Sequence, residues 1–260
     1  MLRRWFGPKN SLIVCFDTWE TLPLEDLSDQ LDHIETYYHF VKLSALADDA
    51  KKGTPSGLVS IVFSYPRKGL FLKVLPELLS RSIPVTIFAD TELTGTNRLP
   101  PREEVEIYRT AYPRIFDDRE LSAMVAAWSS GEQPDPEPLL TRLRTLGIFP
   151  VEGTNPLNYM ATWGKIGEIP GSLKEIGIRI SRPPLTVEGF VKQCHFIEQR
   201  TASKVTAATD KRLLPSDDAL KALGFQAAIG QRIGVVEKGV SRFDLPVFPL
   251  EKTSSIDENK

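Results

Sequence analysis

Cysteine and histidine are both scarce in this chain of 260 residues: there are two of the first and three of the second. Two cysteines, Cys15 and Cys194, exclude a disulfide framework as the basis of the fold. The three histidines, His33, His39 and His195, include no pair at the spacing that lets two imidazoles meet on one helix face. Cys194 and His195 are sequence neighbours and point about 100° apart on a helix, which makes them poor co-ligands. No apolar run approaches the roughly 20 residues that cross a bilayer. Nor is charge of one sign in excess: 32 Lys and Arg stand against 34 Asp and Glu, a formal net charge of -2. That balance argues against general binding to nucleic acid or to an anionic membrane. Gly164-Lys-Ile-Gly167 and the stretch from Gly230 to Gly239 lack the spacing of a phosphate loop or a dinucleotide fingerprint, and no Gly-x-Ser-x-Gly elbow has a histidine partner.

What remains is an ordinary globular composition, 41% apolar and 25% charged, long enough to bury a sizeable core. Met1-Leu-Arg-Arg-Trp-Phe-Gly-Pro8 has the basic start of a leader but no apolar stretch behind it, so a cytoplasmic protein is expected. Strand patterns fall on residues 11–16, 57–63, 84–89, 176–180, 205–208 and 226–229. Amphipathic helix patterns lie between them, at 24–38, 70–82 and 186–199, with a short helix at 216–223 capped by Ser216 and closed by Gly224. Strand, helix, strand in close succession is a βαβ rhythm, and repeated units of it predict a barrel or an open parallel sheet. Residues 97–157 break the rhythm. They predict helices at 102–111, 118–128 and 138–146, with Tyr108, Ile115, Leu121, Val125 and Leu143 seeking burial, and are expected to form a helical insertion within a single domain of 1–260.

The order of segments is more specific than any one motif. Ser60-Ile-Val-Phe63, Val74-Leu-Pro-Glu-Leu-Leu79 and Ile83-Pro-Val-Thr-Ile-Phe88 resemble the first unit of the polysaccharide deacetylase family (the nodulation-protein-B homology domain, carbohydrate esterase family 4). Residues 24–52 resemble the family's segment before that unit: helix, short strand, second helix. Met160-Ala-Thr-Trp163, Glu175-Ile-Gly177, Pro184-Leu185 and Asp218-Ala-Leu-Lys-Ala-Leu-Gly-Phe225-Gln-Ala-Ala228 match later pieces in the family's order. The resemblance covers roughly 11–96 and 158–250. It implies a distorted (β/α) barrel of the polysaccharide deacetylase type with its site at the C-terminal strand ends. It also implies, for the family, removal of acetyl groups from sugars by a zinc-held water and an Asp base.

This sequence departs from its relatives where that chemistry resides. The family's Thr-Phe-Asp-Asp-Gly falls on Val62-Phe-Ser-Tyr-Pro66, which puts Ser64 at the base and Tyr65 at the metal-binding Asp. The two-histidine motif falls on Ile178-Arg-Ile-Ser-Arg182. The resemblance therefore implies no metal and no catalytic residue. In their place stand cations after three strands: Arg67 and Lys68, Arg179 and Arg182, Lys211 and Arg212. Such a ring favours carboxylate or phosphate over a metal ion. Alternatively, several of these cations pair with Asp17, Glu20, Asp90 and Glu92, or Asp17 and Asp90 form an acidic site of their own. The expected function is a catalytically degenerate deacetylase-like protein. Its expected ligand is a glycan or anionic small molecule, or a protein partner held through 97–157, with no nucleic acid and no membrane. The alternative is an active carbohydrate deacetylase, or another hydrolase of non-peptide carbon–nitrogen bonds, with an atypical site; zinc is expected only in that case.

Overall fold

The computed structural model describes residues 10–16, 24–52, 57–130, 137–147, 157, 159–180, 186–209, 214–237 and 239–249. Seven parallel strands form a closed ring: β1 (Leu12–Phe16), β3 (Leu58–Phe63), β4 (Val85–Ala89), β5 (Lys174–Ile178), β6 (Val205–Thr209), β7 (Ala227–Ile233) and β8 (Leu245–Pro249), which returns to β1. A two-residue strand, β2 (His39–Phe40), lies on the first residues of β3, on the edge that β4 takes further along. The ring is irregular: its register slips between β5 and β6 and again between β7 and β8. This is the (β/α) barrel expected from the sequence.

Alternation along each strand sends side chains to two cores. Leu12, Val14 and Phe16 of β1 and Val59, Ile61 and Phe63 of β3 face outward. They pack against Leu27 and Leu31 of α1 (Leu24–Glu35), Leu78 of α3 (Leu75–Ser80), and Phe190 and Ile197 of α8 (Val187–Thr201). A π-helical turn, Leu70–Val74, leads into α3, so the predicted helix over 70–82 divides in two. The intervening residues Ile13, Cys15, Val62, Phe88 and Ala227 fill the inside of the ring with Leu43, Leu46 and Ala47 of α2 (Leu43–Lys52).

Helix α2 touches β3, β6 and β7, strands from different sides of the ring, so it plugs the barrel. The plugged end is the N-terminal one, because the Ser44 backbone N–H donates to Glu175 Oε2 (3.2 Å), near the start of β5. Glu175 is buried inside the ring, where it also accepts from Thr86 Oγ1 and Thr206 Oγ1, each at 3.0 Å. A buried carboxylate is tolerable when so bonded, and it ties three strands to the plug. The sequence placed β5 two residues late, at 176–180. Lys174 and Glu175 made its beginning look polar, but both point to buried partners.

Two short helices complete the barrel's exterior. Helix α7 (Trp163–Gly167) is capped by Thr162, whose Oγ1 accepts from the Lys165 N–H. Helix α9 (Asp217–Ala222) is capped by Ser216, and Gly224 beyond it has φ +83°, the left-handed conformation that suits glycine at that end. Between β4 and α7 come α4 (Pro101–Ala111), a 3-10 turn (Pro113–Asp117), α5 (Arg119–Ser130) and α6 (Glu137–Thr145). These helices have a small core of their own, made of Val105, Tyr108, Leu121, Leu139, Leu140 and Leu143. Ile115 and Val125 are only partly covered there. Tyr108 donates to Glu104 Oε1 (2.7 Å), and burial together with that carboxylate pushes its phenol well above the usual range. Among the described residues no helix is long and apolar enough to cross a membrane.

Candidate functional site at the barrel mouth

With the N-terminal end plugged, the opposite end is where loops are free to build a site, as in other parallel barrels. Ser64 and Tyr65 follow the last residue of β3, and Asp90 follows β4. Arg179 follows β5, where its N–H donates to Ala89 O (2.9 Å) and extends the ladder by one step. Glu175 and Gly177 face the inside of the ring, and Arg179 is the next residue on that face. Its Nη1 donates to Ser64 Oγ at 2.6 Å, and its guanidinium carbon lies 3.8 Å from the centroid of the Tyr65 ring. The two positions where the resemblance puts a base and a metal ligand are thus joined by one guanidinium.

Beyond Tyr65 the chain meets the segment that returns from the helices. Arg67 forms an antiparallel bridge with Met160; Ala161 N donates to Pro66 O (2.6 Å) and Lys68 N to Tyr159 O (2.8 Å). The Arg67 guanidinium carbon is 5.4 Å from the Tyr65 centroid, so Tyr65 has two cations near its ring. Lys68 Nζ lies 5.6 Å from the Tyr159 centroid and donates to Asn97 Oδ1 (3.3 Å).

Arg67, expected from the sequence as a ligand-binding cation of the mouth, is buried. It is among the largest fully buried side chains, and it makes a two-pronged ion pair with Glu103 of α4: Nη1 to Oε2 at 2.8 Å, and Nη2 to Oε1. A charge this deep requires a matched partner, and Glu103 supplies one. Asp90 is also buried, and its Oδ1 accepts from the backbone N–H groups of Glu92 (2.8 Å) and Leu93 (3.2 Å), closing the turn after β4. Asp17, Arg182, Lys211 and Arg212 lie outside the described residues. Of the cations expected at the mouth, Arg67, Lys68 and Arg179 are brought together around Tyr65 and Tyr159.

Glu103, Tyr159 and Asn97 were not singled out from the sequence. Glu103 sits in the first turn of a helix behind two prolines, where an acidic residue is explained by the helix dipole alone. Its partner is 36 residues away, and no local pattern connects them.

The described residues do not supply the donor set of a bound zinc ion. Zinc needs imidazole, thiolate or carboxylate ligands converging on one point, and no three such side chains converge among the described residues. At the position where the resemblance puts a metal ligand stands a phenol with a permanent cation against it.

No protein-family model and no curated protein matches this sequence. Solved structures do match. IcaB from Ammonifex degensii superposes with a TM-score of 0.57 at 16% identity, over 92% of this chain and 91% of that one. The Streptococcus pyogenes deacetylase PplD, in complex with acetate, gives 0.54 at 8% identity, over 95% and 93%. A de-N-acetylase from Aggregatibacter actinomycetemcomitans gives 0.53 at 14% identity, over 93% and 96%. This chain has the polysaccharide deacetylase fold. The match runs nearly end to end in each pair, so the resemblance seen in segment order reflects one shared architecture. At such low identity the deacetylase fold carries no activity with it; that must be argued from Ser64, Tyr65 and Arg179.

Proposed function

We propose that this protein uses a deacetylase barrel to bind an acidic glycan at its mouth without cleaving it. The observation that carries this reading is the contact of Arg179 with both Ser64 and Tyr65. Deacetylation on this fold requires a Lewis acid to polarise the acetyl carbonyl and a base to take a proton from water. A serine hydroxyl engaged by a guanidinium is no such base, and a phenol against the same cation is a poor metal ligand. The same groups suit recognition. Guanidinium and ammonium groups favour carboxylates, and Tyr65, Tyr159 and Asn97 add the aromatic faces and amide that accompany sugar hydroxyls.

The test combines catalysis and binding. Acetylated chitooligosaccharide incubated with the protein is expected to release no acetate above the protein-free rate. A uronate-containing oligosaccharide is expected to bind in calorimetry, and Arg179→Ala to weaken it about tenfold or more, the scale of a hydrogen bond to a charged group. Acetate release that a chelator abolishes would instead make this an active deacetylase with an atypical site. Uronate binding that Arg179→Ala leaves untouched would remove the mouth as the binding site.

A further inference from the structure

We infer that Arg67 is a carboxylate receptor in which Glu103 holds the place of the ligand's carboxylate, so that an acidic sugar binds by exchanging with Glu103. This deepens the glycan-binding reading and rests on it for the identity of the ligand.

Four observations lead here. The Arg67 side chain is 2% exposed and its guanidinium presents two parallel N–H donors to a single carboxylate, a fork that fits any planar carboxylate equally well. Glu103 is far from buried: its side chain is 35% exposed, so the carboxylate reaches the receptor from the solvent side. The helix that carries Glu103 takes its apolar anchors elsewhere. Val105 and Tyr108 of α4 pack with Leu121, Leu139, Leu140 and Leu143, and belong to neither core of the barrel. Helix α4 can therefore give up the Arg67 contact while keeping its own packing. Finally, Arg67 and Arg179 approach the same Tyr65 ring, so a sugar acid that reaches Arg67 also meets the group proposed above to recognise it. Exchange of one carboxylate for another leaves the buried cation paired throughout, which is the condition a desolvated guanidinium imposes.

The experiment uses the full chain with Glu103→Ala and, as a variant that keeps an acceptor oxygen and the side-chain volume, Glu103→Gln. Sodium acetate and sodium glucuronate are the probes, with acetamide and sodium chloride as controls, read by thermal unfolding and calorimetry. Both variants are expected to melt below the wild type. Acetate or glucuronate should restore most of that loss where acetamide and chloride do not, and glucuronate should bind the variants about tenfold more tightly than the wild type. Removing the receptor as well, in Arg67→Met with Glu103→Met, should abolish the response to carboxylates. If neither variant is rescued or gains affinity, the pair is only a structural ion pair and the inference fails, even where Arg179-dependent oligosaccharide binding persists. If rescue occurs but no acidic oligosaccharide binds the wild type or either variant, the receptor stands and the glycan reading falls.

Discussion

Phe88 fills, inside the barrel, the space that any side chain on Gly177 would need. A Cβ built on Gly177 would stand 2.5 Å from Phe88 Cε1 and 3.2 Å from the Ala207 carbonyl oxygen. The backbone oxygen belongs to the neighbouring strand β6 and the ring is fully buried, so neither can retreat cheaply. Gly177→Ala should therefore destabilise the fold by about 1–3 kcal/mol through overpacking, measured as a lower urea midpoint with an unchanged slope. Phe88→Leu in the Gly177→Ala background should recover part of the loss, although Phe88→Leu alone is destabilising. Additive losses in the double mutant would show that the two sites do not share this space.

Such interlocking explains which parts of the molecule the sequence discloses. The runs around Val62, Ile87 and Ala207 are apolar on both faces because both faces are buried, one under helices and the other inside the ring. Continuous apolar runs of that kind identify parallel strands without any structure. Strand β8 escaped notice because Leu245–Pro249 contains two prolines, which normally exclude a strand from a sheet interior, and yet it closes the ring. Strand β2 is only two residues long, too short for any periodicity; the segment order supplied it instead. At the mouth, the sequence located Ser64, Tyr65 and Arg179 by their positions after strands. It could not show that Arg67 is buried, because charged residues at strand ends are exposed by default and its partner Glu103 comes from a helix outside the barrel pattern.

Lys174 offers a second test of buried polarity. It opens β5 and is buried, with Nζ donating to the carbonyl oxygens of Ile166 (3.4 Å), Gly167 (3.3 Å) and Thr201 (3.2 Å). Those carbonyls end α7 and α8, where helices leave acceptors unsatisfied and concentrate negative partial charge. Lys174→Met keeps the stem and removes the donors. It should cost about 2–4 kcal/mol, since three acceptors at two helix ends lose their shared partner. Chemical denaturation would measure it, and a loss below about 0.5 kcal/mol, the level of an ordinary surface substitution, would mean that solvent replaces the ammonium at no penalty.

Cys194 makes stability depend on alkaline pH. Burial first, and then the Glu198 carboxylate, push its thiol up to about 12 from an ordinary value of 9.0. Above pH 9 the unfolded chain releases this proton while the folded chain keeps it, so stability falls as pH rises from 9 towards 12. The slope approaches about 1.4 kcal/mol per pH unit within that window. Lys174 acts in the opposite sense: burial lowers its ammonium below 10.5, so its penalty is relieved as pH rises towards that value. The two are separated by difference. Urea unfolding of wild type and Cys194→Ala between pH 8 and pH 10.5 should show the wild type losing stability relative to the variant as pH rises. Parallel curves would place the folded thiol near its ordinary value.

The sharpest prediction concerns a metal at the mouth. A divalent ion bound beside Tyr65 would sit close to a guanidinium already 3.8 Å from that ring. A double and a single positive charge at about 4 Å repel by roughly 8 kcal/mol even at an effective dielectric of 20, and among the described residues no convergent carboxylates and imidazoles stand ready to offset it. Protein dialysed against zinc and then against buffer should therefore retain well under one equivalent by elemental analysis. Arg179→Ala removes the repulsion but supplies no ligand, so alone it should raise zinc retention only slightly. Adding Ser64→Asp and Tyr65→Asp to it should raise retention much further, because two carboxylates then stand where a hydroxyl and a phenol stood. Wild-type protein that keeps about one zinc per chain, and loses it to a chelator together with acetate-releasing activity, would overturn both the electrostatic argument and the non-catalytic reading built on Arg179.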